Sequence, residues 1–262
     1  MKTLLLCILF ACTSFISYGQ LGFAGTGANR GKTVLTFKNG TREVGKIKEK
    51  FLVFGYHYDD PYEFKFKNDG AKDYRSVSSN DVVSVEIFDK KKENWSTVYH
   101  PIRVRKFDKK YTFSDKYFVD FYPLNTYKDI PYAKLLILDN GKLIFTHFYF
   151  PVANTDYFFF FHDAYRRTDR EAAQFMMLMD KNCEAFQTYL QENYIDSKNY
   201  KEEYKKALAE FKAAKSEYIA ERIAAGFPKK LAKLDYKSQE RFVFFQQIFE
   251  KYKELCTHEN HQ

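Results

Sequence analysis

The hydrophobic pattern of this chain changes its period near residue 163, and this change limits the folds open to it. Before that point, short apolar runs alternate with polar residues and are separated by glycine-containing turns, as in antiparallel strands. After it, apolar residues recur every three to four positions, as on one face of a helix. The sequence therefore predicts an α+β fold: a β-rich region over residues 33–163, forming an antiparallel sheet or partly open barrel, and then a three-helix region over residues 164–262.

Two hairpins are predicted from turn residues. Asn39-Gly40 separates one pair of strand-like runs, and Asp139-Asn140-Gly141 separates another. Asn and Gly tolerate the positive φ that a tight hairpin requires. In EFKFK (63–67), strict alternation predicts that the phenylalanines face a core and the charged residues face solvent. The run Phe158–Phe161 is apolar on both faces, which is typical of a central strand covered by helices.

Residues Gly45–Phe88 carry a family resemblance. A strand ending in Gly-Lys-Ile, then EFKFK, a polar turn and SVSSNDVVSVEIF resembles the N-terminal module of uncharacterised exported bacterial envelope proteins. In that family, further strands follow and then a helical tail with one cysteine, as this chain has near Cys183. The resemblance implies an architecture and an exported location, and it brings no catalytic residues.

The first twenty residues match a secretory signal peptide. Lys2 is followed by an apolar run from Leu4 to Ala11 and by small residues near the expected cleavage point. That run is shorter than the roughly 20 apolar residues that a permanent membrane span needs. The alternative is a lipoprotein signal with Cys12 as the lipidated residue. We therefore expect a periplasmic, outer-membrane-associated or secreted protein, with residues 21–32 as a flexible mature N-terminus.

The segment GTGANRGKT (25–33) is similar to a phosphate-binding P-loop but lacks its spacing and its context. The Walker pattern requires a glycine at position 26, where this chain has Thr26. A P-loop also opens a helix, whereas the residues that follow Thr33 predict a strand. We expect no nucleotide at this segment.

The predicted helices span residues 168–193, 197–225 and 234–256. The first begins at a Thr168–Glu171 capping box. Its expected buried residues are Phe175, Leu178, Met179, Ala185, Phe186, Tyr189 and Leu190, and its methionine run is expected to fill core space. The second presents a narrow aromatic seam that fits an antiparallel hairpin with the third, or self-association with a second copy.

The mature cysteines, Cys183 and Cys256, both fall in predicted helices. In an oxidising compartment they can form one disulfide, and the alternative is two buried free thiols. The formal net charge of +8, with both signs interspersed, predicts a mildly basic surface. For an exported protein the expected partners are an envelope protein, a glycan or an anionic lipid headgroup, and no nucleic acid. The 21 tyrosines suit stacking on sugars, but an AT-rich genome is the favoured explanation for them.

One polar cluster is a candidate for chemistry: His162, Asp163, Arg166 and Arg167, between the last strand and the first helix. Its histidine and aspartate could act as an acid–base pair, and its arginines could clamp an anion. The alternative is a junction whose charges cap the helix and pair locally. His147 is expected to be a hydrogen-bonded structural residue.

No HExxH, GxSxG or SxxK pattern occurs in the chain, and the spaced pair His258 and His261 lies at a terminus that is expected to fray. We predict no metal and no cofactor. The sequence favours a non-enzymatic binding or structural component of the envelope. The alternative is a periplasmic or secreted hydrolase that uses residues around His162.

Overall fold

The computed structural model describes residues 22–23, 31–48, 61–88, 96–107, 112–140, 142–162 and 169–256. Within these ranges every strand precedes every helix, and the sheet is mostly antiparallel and open, which confirms the predicted α+β class. The strands are β1 (Gly22–Phe23), β2 (Thr33–Phe37), β3 (Arg42–Ile47), β4 (Glu63–Asn68), β5 (Arg75–Ser78), β6 (Val82–Phe88), β7 (Ser96–Phe107), β8 (Phe113–Tyr122), β9 (Leu124–Tyr127), β10 (Ile130–Asp139), β11 (Lys142–Pro151) and β12 (Tyr157–His162).

The twelve strands form one hydrogen-bonded network in the order β1-β10-β11-β12-β7-β6-β2-β3-β4-β5, with β8 added to β7 and β9 to β10. β7 links the two halves of this network: an N-terminal half, β2–β6, and a C-terminal half, β10–β12 with β1. Its first residues pair with β6, while Arg103–Arg105 pair in parallel with β12. β8 runs antiparallel along the opposite edge of β7. Residues from both halves therefore meet where β7 passes from one to the other.

Both predicted hairpins are confirmed. β2 pairs with β3 across a turn in which Gly40 has a φ of +84°, and β10 pairs with β11 across a turn in which Asn140 has a φ of +48°. A third hairpin, between β9 and β10, was not predicted. Its turn residues Lys128 and Asp129 have φ values of 47° and 66°, a conformation that Asn and Gly adopt more readily.

Gly22 and Phe23 differ from the expectation of a flexible segment over residues 21–32. These two residues form β1, which pairs in parallel with Leu135 and Leu136 of β10. The backbone of β10 provides the hydrogen-bonding partner for these two residues. The strand predicted after the P-loop-like segment is confirmed, because β2 begins at Thr33.

The helices are α1 (Asp169–Met176), α2 (Glu184–Leu190), α3 (Lys201–Ala213), α4 (Lys215–Ala224) and α5 (Lys229–Cys256), and a π-helical turn over Gln191–Ile195 continues α2. The predicted three helices are thus five α-helical segments in the part of the chain that the structure describes. The first predicted helix is interrupted because Asp180 Oδ1 accepts hydrogen bonds from the N–H groups of Asn182 and Cys183, at 3.0 and 3.3 Å. The second is interrupted at Ala214, whose ψ is 6°.

The helices cover one face of the C-terminal half of the sheet. Phe159 and Phe161 of β12 face the helices, and the Phe161 ring lies 5.3 Å from the Phe245 ring of α5. Phe158 belongs to the core on the opposite face, which consists of strand residues. The prediction of a central strand that is apolar on both faces is confirmed, but helices cover only one of those faces. In EFKFK, Phe64 and Phe66 are fully buried, as predicted. Ala185, predicted to be buried, is exposed.

α5 is the central helix of the helical layer. Its Phe244 and Tyr236 rings pack on Tyr204 and Phe211 of α3, with centroid distances of 5.7 and 5.0 Å, which confirms the predicted antiparallel helix pair. Cys183 and Cys256 are joined by a disulfide with a sulfur–sulfur distance of 2.09 Å, which fastens the start of α2 to the end of α5. Self-association through residues 197–225 stays a prediction.

A buried ionic group ties this layer to the sheet. The carboxylate of Asp235 on α5 accepts a hydrogen bond from Lys134 Nζ of β10 at 2.8 Å, and lies 2.6 Å from Arg222 Nε of α4. The Tyr218 hydroxyl donates to the same carboxylate at 2.8 Å. Burial by itself would raise the pKa of Asp235, but Lys134 and Arg222 hold it below its ordinary value. One carboxylate therefore fixes two helices and one strand.

Candidate functional site

The polar cluster predicted at the strand–helix junction lies largely outside the described residues. His162 ends β12, where its backbone pairs with His147 of β11. The His162 side chain, Asp163, Arg166 and Arg167 are not described, nor are His258 and His261. The cluster therefore stays a prediction. His147 is 5% exposed and its ring lies 4.6 Å from the Phe160 ring, so His147 occupies a structural position.

Two concave regions stand out on the described surface. The larger, of about 530 Å³, lies between the Lys128 turn and the last turns of α5. Its charged lining consists of three lysines and three glutamates, and these charges pair with one another, as in Lys128–Glu250 at 3.4 Å and Lys251–Glu254 at 2.7 Å. This region offers no excess charge to a ligand.

The smaller region, which we call the cleft, has a volume of about 300 Å³ and lies where β7 passes between the two halves of the sheet. Its walls are apolar, and polar groups reach it from four separate parts of the chain. The apolar residues are Val82, Val83, Pro101, Ile102, Val119, Leu124 and Phe158, and the polar residues are Lys38, Ser79, Asn80, His100, Arg103 and Asp156. An apolar recess with a few convergent polar groups is the usual form of a binding site.

Arg103 is the central cation of the cleft. Its guanidinium forms an ion pair with Asp156 through Nη1 and donates through Nη2 to Asn80 Oδ1 at 2.6 Å. Asp156 immediately precedes β12, and Asn80 lies in the turn between β5 and β6. The two halves of the sheet thus hold one guanidinium from both sides, in an orientation that is set before any ligand arrives.

His100 lies three residues earlier on β7. Its Nδ1 is 3.1 Å from the Val83 carbonyl oxygen, so Nδ1 carries the hydrogen and donates it. Burial lowers the pKa of His100, which the hydrogen bond to Val83 only partly offsets. The ring is therefore neutral at pH 7, and this tautomer leaves Nε2 as a hydrogen-bond acceptor.

The other polar groups of the cleft divide into structural and charged ones. Ser79 Oγ accepts the Tyr62 N–H at 3.0 Å, which is a structural use of that hydroxyl. Lys38 is exposed at the rim. Lys38 and Arg103 together outweigh Asp156 by one positive charge, because His100 is neutral. The arrangement can hold an anionic group with hydrogen-bonding oxygens.

A buried carboxyl group lies elsewhere in the β core. Asp120 on β8 is 4% exposed and lies beside Tyr122 and Tyr149, and the Tyr149 hydroxyl donates to Tyr122 at 2.8 Å. Burial raises the pKa of Asp120 to about 7, against the opposing effect of hydrogen bonds from Tyr122 and from the Phe121 N–H. This carboxyl group changes its charge in the neutral pH range.

Among the described residues, no group of three or more His, Cys, Asp and Glu side chains is arranged to hold a metal ion. Within the same ranges, the helices lack the length of apolar sequence that a membrane crossing requires.

Sequence reasoning missed the cleft because its polar residues are dispersed from position 38 to position 156. The usable signal was the alternation of basic residues in IRVRKF, which places Arg103 and Arg105 on one face of a strand. Pairing them with Asp156 and Asn80 required the sheet order. Comparison with protein-family models, curated proteins and solved structures finds no match for this chain.

Proposed function

We propose that this protein is an exported envelope component that acts by binding, and that its ligand places an anionic group in the cleft. The single observation that carries the proposal is Arg103, fixed between Asp156 and Asn80 in a partly apolar recess. A guanidinium suits carboxylate and phosphate groups because its donors form a planar fork. Its fixed orientation favours affinity, since binding does not have to order the side chain.

Two features support the exported location. The first twenty residues have the composition of a signal peptide. The Cys183–Cys256 disulfide is a bond that persists in oxidising compartments and is rare in the cytoplasm. Alkylation of free thiols in intact cells, followed by fractionation, tests this location. Oxidised chain outside the cytoplasm is the expected result, and reduced chain in the cytoplasm would refute it.

Isothermal titration with inorganic phosphate and with galacturonate tests the binding site. Arg103→Gln is expected to weaken binding of both anions about tenfold or more, because a charge-assisted hydrogen bond is lost. Arg42→Gln is the matched control. Its side chain is 64% exposed, lies 3.6 Å from Glu86 of β6 and does not line the cleft. Equal affinities for the wild type and Arg103→Gln, or no binding by the wild type, would contradict the proposal.

A further inference from the structure

The face of β7 and β8 that carries Arg103 continues beyond the cleft. Arg103 is opposite Val119 of β8, and two residues further along, Arg105 is opposite Tyr117. Residues two apart on a strand share a face and lie about 7 Å apart. Arg105 and Tyr117 are therefore the next positions on the face that carries Arg103.

Tyr157 of β12 lies next to these two residues. It follows Asp156 in the chain and pairs with Arg103 in the register of β12 and β7. The Arg105 guanidinium lies 4.6 Å from the centre of the Tyr157 ring, and the Tyr117 and Tyr157 rings are 5.3 Å apart at 63°. We call Arg105, Tyr117 and Tyr157 the tyrosine strip.

Tyr117 is exposed and Arg105 and Tyr157 are half-buried, whereas both continuations of this face are covered. In one direction, Phe121 packs against Tyr62 and Phe64 of the N-terminal strands. In the other, the Phe107 ring packs against Phe175 of α1 at 5.2 Å. Between them Tyr117 is 37% exposed. The strip thus lies between two covered stretches of the face that carries Arg103.

The chemistry of Arg103 and of the tyrosine strip favours one class of ligand. The C–H groups on one face of a sugar ring pack against aromatic rings and bury apolar area there. Arg105 adds positive charge next to the cation of the cleft, which favours a chain with repeated negative charges over a neutral one. A single phosphate group would use the cleft and leave the strip uncovered.

We propose that the cleft and the tyrosine strip together bind an acidic oligosaccharide, with an anionic group at Arg103 and an adjacent sugar ring against Tyr117 and Tyr157. This inference rests on the proposed function, because it uses the cleft as the anchor of the ligand. It adds the class of ligand, a polymer of acidic sugars, and the residues that distinguish this ligand from a lipid headgroup.

The test is isothermal titration of the mature protein with tetragalacturonate, with galacturonate, with a neutral galactose tetramer and with vesicles of phosphatidylglycerol and phosphatidylethanolamine. Tetragalacturonate is expected to bind at least about tenfold tighter than galacturonate, because it covers the strip as well as the cleft. The neutral tetramer is expected to bind more weakly than tetragalacturonate.

Tyr117→Ala is expected to remove about tenfold of the tetragalacturonate affinity, and Tyr117→Phe, which keeps the ring, is expected to retain it. Tyr74→Ala is the control, since Tyr74 is 42% exposed and lies on the loop between β4 and β5. Tyr117 is used for the test because it is exposed, so its truncation is tolerated. Truncation of the partly buried Tyr157 could destabilise the fold.

The outcomes separate the two proposals. Binding of galacturonate without a gain for the tetramer, or without an effect of Tyr117→Ala, would overturn the oligosaccharide inference and leave the cleft intact. Binding of vesicles but not of tetragalacturonate would overturn it in favour of a lipid headgroup. Failure of the wild type to bind any of these anions would overturn both proposals.

Discussion

At the scale of single residues, Asp120 is a buried group whose ionisation couples folding to pH in the neutral range. Its carboxyl group is buried among apolar side chains and two tyrosines, and its pKa rises to about 7 from an ordinary 3.8. The folded protein therefore binds a proton at this site that the unfolded chain releases near pH 4. The stabilising contribution is fully present below about pH 4 and is lost as the pH rises through 7.

We predict that Asp120→Asn removes this part of the pH dependence. An amide cannot ionise, so the variant should gain stability over the wild type as the pH rises from 4 to 8, by up to about 4 kcal/mol. Urea unfolding of both proteins across this range measures the difference between their free energies of unfolding. The effects of other carboxylates cancel in this difference, because both proteins contain them. Asp115→Asn, an exposed change on the same strand, should leave the pH profile unchanged. A pH-independent difference between Asp120→Asn and the wild type would contradict this account.

At the scale of elements, the ionic group around Asp235 determines how the helices attach to the sheet. Lys134 and Asp235 are each about 1% exposed, and Arg222 is 6% exposed. Removing the carboxylate would leave two buried cations without their counter-charge. The resulting loss of stability is far larger than that from removing a surface ion pair, because water cannot solvate the buried cations in place of the carboxylate.

Asp235→Asn is therefore expected to lower the free energy of unfolding by about 3–5 kcal/mol. Glu240→Gln is the control on the same helix, α5. It removes a more exposed ion pair, Lys212–Glu240 at 3.3 Å, and should cost about 1 kcal/mol or less. Chemical denaturation at pH 7 measures both variants. Equal losses for the two would show that the buried group does not hold the helices to the sheet.

The elements also show which features the sequence could predict. Strands with alternating residues and Asn-Gly turns were predicted correctly, because their pattern is local. The hairpin at Lys128 and Asp129 was missed, because its residues only rarely adopt positive φ. The break after α1 was missed as well, since it depends on the Asp180 side chain accepting backbone hydrogen bonds. The helical spacing of apolar residues does not reveal that a side chain competes for backbone hydrogen bonds.

At the scale of the whole molecule, the candidate site depends on the order of the strands. β12 joins β7 in parallel after the intervening residues 108–156, and this crossing brings Asp156 to Arg103. The composition predicted an affinity for anions and sugars in general terms. It could not locate the site, because Lys38, Asn80, Arg103 and Asp156 belong to four different parts of the chain.

The most direct test of the cleft is nuclear magnetic resonance of the mature protein with isotope-labelled histidines, titrated with galacturonate. His100 lies in the cleft, whereas His147 is buried in the core and serves as an internal reference. We predict that the His100 ring signals shift and saturate while those of His147 stay in place. Unchanged His100 signals, or equal shifts of both histidines, would contradict binding of the anion in the cleft.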